Sequence, residues 1–213
     1  MLLGTGGGLM EDESKISLIT KRIDEASFCS AFVTSDFTDL AEYETAKKTI
    51  ARLEKKGTLR RVLRGVYDKP KFSSLLQEYA APNPDQIARA IARNYNWTIS
   101  ASGNTALNQL GLSTQVPADW SYISSGPYKK YTFGNVTLTF SHRSDSQMTG
   151  MSEKTLLLIQ ALKAIGQGNV SEADIKLIRK RFSSDECQTI LSESRYTISW
   201  IYEVIKDICR YER

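Results

Sequence analysis

The chain has 213 residues, 41% hydrophobic and 24% charged, with a formal net charge of +4. That balance is ordinary for a globular protein with room for one large domain or two small ones. It excludes a membrane helix, because no apolar run approaches the roughly 20 residues needed to span a bilayer.

The opening MLLGTGGGLM has no basic n-region and a short apolar core, so no secretory signal is expected. Its glycines are followed by no Gly-Lys-Ser/Thr and preceded by no strand, which removes a phosphate-loop reading. Residues 1–13 therefore read as a disordered leader. Ser14 is the expected N-cap of a first helix, with Ile16, Ile19, Ile23 and Ala26 on one face.

Phe32-Val33 reads as a short extended piece. Thr34 or Ser35 then caps a brief helix that turns Phe37 and Leu40 inward. After a turn at Ala41-Glu42, a longer helix runs to about Lys56 with Ala46, Ile50 and Leu53 on its core face, and Gly57 ends it. Leu59 to Leu63 and Val66-Tyr67 read as strands joined by Arg64-Gly65. Helix, short helix, longer helix and hairpin is the order of a winged helix-turn-helix, expected over residues 14–71.

Pro70, Pro82 and Pro84 bracket the next boundary, and residues 72–213 are expected to form the body. Lys71 to Tyr79 could be a helical connector. Asp85 is the expected cap of a helix over residues 86–94. Trp97 to Ile99 is a brief strand, followed by a helix from Ser102 or Gly103 that stops at Gly111. Strands are expected at Trp120–Ser124, Lys130–Phe133 and Val136–Phe140, the last two joined by the hairpin pair Gly134-Asn135. From Ser152 onward the pattern is helical. Thr155 to Ile165 is apolar almost all round and should be central, Ser171 with Asp174 starts another helix, and Ile198, Ile201, Ile205 and Ile208 form a final stripe. The fold class is thus α+β: a winged helix-turn-helix, a mixed α/β body and a helical C-terminal segment.

Charge is the strongest functional signal. Between Lys47 and Lys71 ten Lys or Arg residues face two acids, Glu54 and Asp68, so this window is +8 while the whole chain is +4. Such polarisation is the footprint of a protein that docks one face on a polyanion, most often nucleic acid. A solvated basic helix with no partner is the alternative. Stepping 100° per residue from the core face puts Glu44, Lys48, Ala51 and Lys55 opposite, with Lys47 and Arg52 on the flanks. The start of a recognition helix meets base edges and its later turns meet phosphates. Thr45, Lys47 and Lys48 are accordingly expected near bases and Arg52 near the backbone. In the hairpin, Arg60, Arg61 and Arg64 are candidates. Arg60 and Arg61 point to opposite faces and cannot both touch one duplex, whereas Arg64 sits at the wing tip.

Phe37-Thr38-Asp39-Leu40, Thr45-Ala46-Lys47-Lys48 with Arg52 through Gly57, and Arg64-Gly65-Val66-Tyr67 resemble the winged-helix head of AbiEi-type antitoxins. These belong to bacterial type IV toxin-antitoxin systems that act in abortive infection. The likeness continues through Ser102-Gly103-Asn104-Thr105-Ala106-Leu107-Asn108, Leu110 to Pro117, and Ser152-Glu153-Lys154-Thr155. The resemblance implies a head that binds inverted repeats in the double-stranded DNA of its own promoter and represses it. It also implies a body that opposes a cognate nucleotidyltransferase-like toxin without forming a stable complex.

No catalytic set, cofactor or metal site is expected. His142 is the single histidine, and Cys29, Cys187 and Cys209 have no metal-ligand spacing and suit buried thiols in a reducing cytoplasm. Ser102-Gly103 lacks the paired aspartates of a nucleotidyltransferase. A second candidate surface for nucleic acid or a partner is the basic, aromatic edge of Tyr128, Lys129, Lys130 and Arg143, near Tyr131, Phe133, Phe140 and His142. Bland packing of a small sheet is its alternative. The sequence is thus read as a cytoplasmic, DNA-binding autorepressor and antitoxin. A winged-helix regulator outside any toxin system, whose body dimerises or senses a ligand, is the second reading. An accessory subunit of a nucleic-acid-processing enzyme is the third.

Overall fold

Isoleucines at helical spacing organise the N-terminus of the computed structural model, which describes residues 6–144, 148 and 150–210. Helix α1 (Gly6–Glu25) buries Ile19 and Ile23 completely. It begins well before Ser14, so residues 6–13 are helical where a disordered leader is expected, while residues 1–5 lie outside the described residues. Once a helix is nucleated, each added residue gains a hydrogen bond, and this propagation tolerates glycines that each cost about 1 kcal/mol.

Strand β1 (Ala31–Val33) leads into a 3-10 turn (Thr34–Phe37), capped by the Asp36 carboxylate accepting from the Val33 amide at 3.0 Å rather than by a hydroxyl of Thr34 or Ser35. Helix α2 (Tyr43–Lys55) follows, with Ala46, Thr49, Ile50 and Leu53 buried. Gly57, at φ +76°, occupies the left-handed region that lets the chain leave the helix. Strands β2 (Arg60–Leu63) and β3 (Val66–Asp68) form an antiparallel hairpin with Gly65 at its tip, φ +78°. Strand β1 pairs antiparallel with the far side of β3, giving the order β1-β3-β2. One core joins Ile19, Ile23, Phe32, Phe37, Ile50, Leu53 and Leu59.

Residues 72–79 form no helical connector. They make a two-stranded hairpin, β4 (Phe72–Ser73) and β5 (Glu78–Tyr79), in which the Phe72 and Tyr79 rings meet edge-on at 5.3 Å. Helix α3 (Pro84–Tyr95) is capped by Asn83, whose side-chain oxygen accepts from the Asp85 and Gln86 amides; Asp85 is a first-turn residue, not the cap. Arg93 of α3 donates to both carboxylate oxygens of Asp36, at 2.8 and 3.0 Å, and to the Ala31 carbonyl at 2.9 Å. These bonds and the packing of α3 on β1 and β3 tie residues 72–97 to the N-terminal part. The chain accordingly divides into compact units Met1–Trp97 and Thr98–Arg213, a boundary well past residue 71.

The second unit holds helix α4 (Gly103–Gln109) and one sheet of β6 (Ile99–Ala101), β7 (Asp119–Ser124), β8 (Lys129–Phe133) and β9 (Val136–His142), with strand order β6-β7-β9-β8. Strands β7 and β9 run parallel, and every other pairing in that sheet is antiparallel. Tyr122 and Phe140 stack at 5.7 Å on its buried face. Helix α5 (Glu153–Ile165) packs on α4 and β6 and buries Leu156, Leu158, Ile159, Ala161 and Leu162, which is the central position its composition predicts. Helices α6 (Glu172–Arg179), α7 (Ser184–Glu193) and α8 (Ser199–Cys209) complete it. Ser171 and Asp174 form the expected capping box. Ile201, Ile205 and Ile208 are fully buried, whereas Ile198 precedes the helix and is exposed. The fold class is α+β, as expected. Among the described residues no helix is long and apolar enough to cross a membrane.

Candidate nucleic-acid interface

Eight of the ten cations between residues 47 and 71 are exposed: Lys47, Lys48, Arg52, Lys55, Lys56, Arg61, Arg64 and Lys71. On α2 the burial of Ala46, Thr49, Ile50 and Leu53 fixes the rotation of the helix. Lys48 and Lys55 then face away from the core, and Lys47 and Arg52 flank them. Thr45 is half-buried, and its carbonyl accepts the Thr49 hydroxyl at 2.8 Å. Lys47 pairs with Glu44 one turn earlier, at 3.3 Å, so the first turn is partly neutralised. Arg64 and Arg61 are exposed at the tip and on the outer strand of the hairpin.

The two remaining cations serve the fold. Arg60 is expected as a nucleic-acid contact, but its guanidinium closes on Asp68, whose side chain is fully buried, and also donates to the Ala80 carbonyl at 3.0 Å. The hydrogen bond it donates to Asp68 raises the Arg60 pKa above its ordinary value against the opposing effect of burial. Arg60 is therefore removed from the candidate set. The physical reason is strand alternation: Arg61 faces solvent and Arg60 turns to the opposite side, where a buried carboxylate requires a counter-ion. Lys69 donates to the carbonyls of Asp24 and Ala26 at 2.6 and 2.9 Å, closing the C-terminal end of α1.

A second ion pair braces the same unit. Arg22 donates to both Asp39 oxygens, at 2.8 and 2.7 Å, and to the Asp36 carbonyl at 2.9 Å. The Arg22 hydrogen bond holds the Asp39 carboxyl below its ordinary value. This fastens α1 to the segment just before α2, so the exposed helix is presented from a fixed base.

The second candidate surface separates into two parts. Tyr128, 69% exposed, with Lys129 and Lys130, lies on the open edge of the sheet, and the Tyr128 ring meets His142 edge-on at 6.4 Å. His142 Nδ1 lies 3.0 Å from the Gly126 carbonyl. Phe133 and Phe140, expected on the same edge, are buried in the core and offer no stacking platform. Arg143 lines a different cavity, with Ile123, Leu156 and Lys163. Lys163 escapes sequence reasoning because it sits in a helix read only for its apolar residues.

Another polar cluster also has no obvious sequence signal. Glu193 accepts from the Ser152 amide at 2.8 Å, the Ser152 hydroxyl at 2.7 Å and the Thr155 hydroxyl, joining the start of α5 to the end of α7. Burial pushes the Glu193 carboxyl up, but the bonds from Thr155 and Ser152 outweigh it and hold it below its ordinary value. Among the described residues no group of three or more His, Cys, Asp or Glu side chains is arranged to hold a metal ion.

These features define an α+β protein whose α2 and β2–β3 hairpin present the exposed cations Lys47, Lys48, Arg52, Lys55, Arg61 and Arg64. Residues 18–190 match the family described as "Family of unknown function (DUF6088)", and the chain belongs to that family. No curated protein matches it. A crystal structure of the RV2827C protein from Mycobacterium tuberculosis is similar with a TM-score of 0.41 and 12% sequence identity, over 92% of this chain and 76% of that one.

Proposed function

We propose that the protein is a cytoplasmic, DNA-binding transcriptional autorepressor that acts as a type IV antitoxin. In this reading residues 14–71 are a winged helix-turn-helix. The 3-10 turn and α2 form the helix-turn-helix, α2 enters the major groove, and the β2–β3 tip carrying Arg64 grips the neighbouring backbone or minor groove. The observation that carries the reading is the exposed cation set Lys48, Arg52, Lys55, Arg61 and Arg64 on an α2 rotation fixed by Ala46, Ile50 and Leu53. Lysines and arginines so placed release counterions from duplex phosphates, and the helix start supplies Thr45, Lys47 and Lys48 for base edges.

The antitoxin part rests on the resemblance to AbiEi-type proteins, which extends into the second unit. The partner there is a cognate nucleotidyltransferase-like toxin, opposed without a stable complex.

The test is a footprint and mobility shift on the promoter DNA upstream of the gene, at stated salt, with wild type and the double variant Lys48→Ala, Arg64→Ala. Protection of an inverted repeat by wild type and its loss in a folded double variant are expected. An unprotected upstream region, or an unaltered shift in the double variant, ends the proposal. Co-expression with the neighbouring reading frame tests the second role. The double variant should still rescue growth from that toxin, because the second unit is intact.

A further inference from the structure

The second unit contains a cavity of about 320 Å³ with an apolar floor of Ile123, Leu156 and Ile159. Two cations, Arg143 and Lys163, line it, and no carboxylate among the described residues does. The Arg143 guanidinium donates one bond to the His142 carbonyl at 2.8 Å. At the rim stands Tyr196, 91% exposed, with the Arg195 guanidinium 5.9 Å from its ring centroid. Burial, and then the positive charge of Arg143, hold the Lys163 ammonium below its ordinary value.

Like charges brought together over an apolar surface are unfavourable unless an anion fills the gap between them. Two other exposed lysines of this unit do have acids beside them: Lys154 pairs with Glu186, and Lys206 with Glu203. Among the described residues the walls of this cavity supply none. A floor of three branched aliphatic side chains, a ring at the mouth and convergent positive charge is the arrangement of a pocket for a small amphipathic molecule. Its size falls at the lower end of the range for small-molecule sites, roughly 300–1,000 Å³.

We infer that this cavity binds a small organic anion: a flat or aliphatic body on Ile123, Leu156 and Ile159, with a carboxylate, sulfonate or phosphomonoester held by Arg143 and Lys163. The site lies wholly within the second unit, so it is independent of the DNA-binding reading.

The experiment is a fluorescence titration of the full chain, without DNA, using 1-anilinonaphthalene-8-sulfonate and its uncharged counterpart N-phenyl-1-naphthylamine. Saturable uptake of the sulfonate is expected, with much weaker uptake of the neutral probe. Loss of a charge-assisted hydrogen bond should weaken sulfonate binding about tenfold in Lys163→Met and in Arg143→Met. Lys163→Arg should restore it, and Ile159→Trp should displace it by filling the floor. Circular dichroism confirms that each variant is folded. No saturable uptake, equal affinity for the two probes, or equal sulfonate binding in Lys163→Met, Arg143→Met and wild type would each overturn the inference.

Discussion

Arg60 and Asp68 stand opposite each other across the β2–β3 hairpin and join through two hydrogen bonds, Nε to Oδ1 at 3.0 Å and Nη2 to Oδ2 at 2.6 Å. Asp68 is fully buried and Arg60 about one-third exposed. Replacing Asp68 with Asn leaves a guanidinium without its counter-charge, and removing one member of a buried pair costs about 3 kcal/mol. Urea denaturation of Asp68→Asn should register that loss. The apolar pair Arg60→Met, Asp68→Leu should recover most of it, since such replacements are often neutral. A single variant within about 0.5 kcal/mol of wild type, the range of ordinary surface substitutions, contradicts this account.

The neighbouring arginines should behave oppositely. Arg61→Ala removes an exposed cation and should flatten the dependence of log K on log salt by about 0.9 at unchanged stability. Arg60→Met, by contrast, should lower the urea midpoint and leave the salt slope of the folded protein unchanged. Equal slopes for wild type and Arg61→Ala would remove Arg61 from the interface.

Glu44 faces away from the core and holds Lys47 at 3.3 Å. Its charge opposes an approaching phosphate. Glu44→Gln should therefore tighten binding to any duplex, several-fold at low salt, and the gain should fade as salt screens it. If Glu44 instead accepts from a cytosine amino group, operator binding will weaken while non-specific binding strengthens. Measuring both DNAs separates the two outcomes.

Acid should loosen the second unit through Glu193. Its folded-state value is depressed below the ordinary 4.5, so its contribution is complete above pH 4.5 and drains away as pH falls through the folded value. Wild type and Glu193→Gln should differ most in urea midpoint at neutral pH and converge as the pH falls below 4.5 through the folded value. Asp39, depressed by Arg22, acts with the same sign in the first unit. A gap that widens on acidification would show that Glu193 is not stabilised as a carboxylate.

Much of the first unit is legible in the sequence because local signals agree there. Ala46, Ile50 and Leu53 recur at helical spacing, Gly57 and Gly65 stand where the backbone needs positive φ, and Phe37 is buried as expected. Lys71 to Tyr79 reads as a helical connector, and Leu75 and Leu76 lie within it. In the structure both are exposed near the tip of a hairpin, and the organising contact is the Phe72–Tyr79 pair across the strands. Asn83 was hidden as a cap behind Pro84 and Asp85, since acids suit both the cap and the first turn. The cavity was not legible at all. Arg143 and Lys163 are separated by 20 positions on different elements, and only the packing of α5 brings them together.

The parallel pairing of β7 with β9 has a consequence for how the second unit assembles. Leu138 opposite Trp120 and Phe140 opposite Tyr122 become neighbours only after the intervening chain has looped out and back. The β8–β9 hairpin, joined by two residues, closes over a far shorter loop and loses less chain entropy. Zippering of that ribbon is therefore expected before its docking on β7, which makes Gly134-Asn135 the turn to perturb in a refolding experiment. Slowing the turn would delay burial of Phe140 without altering the final native contacts.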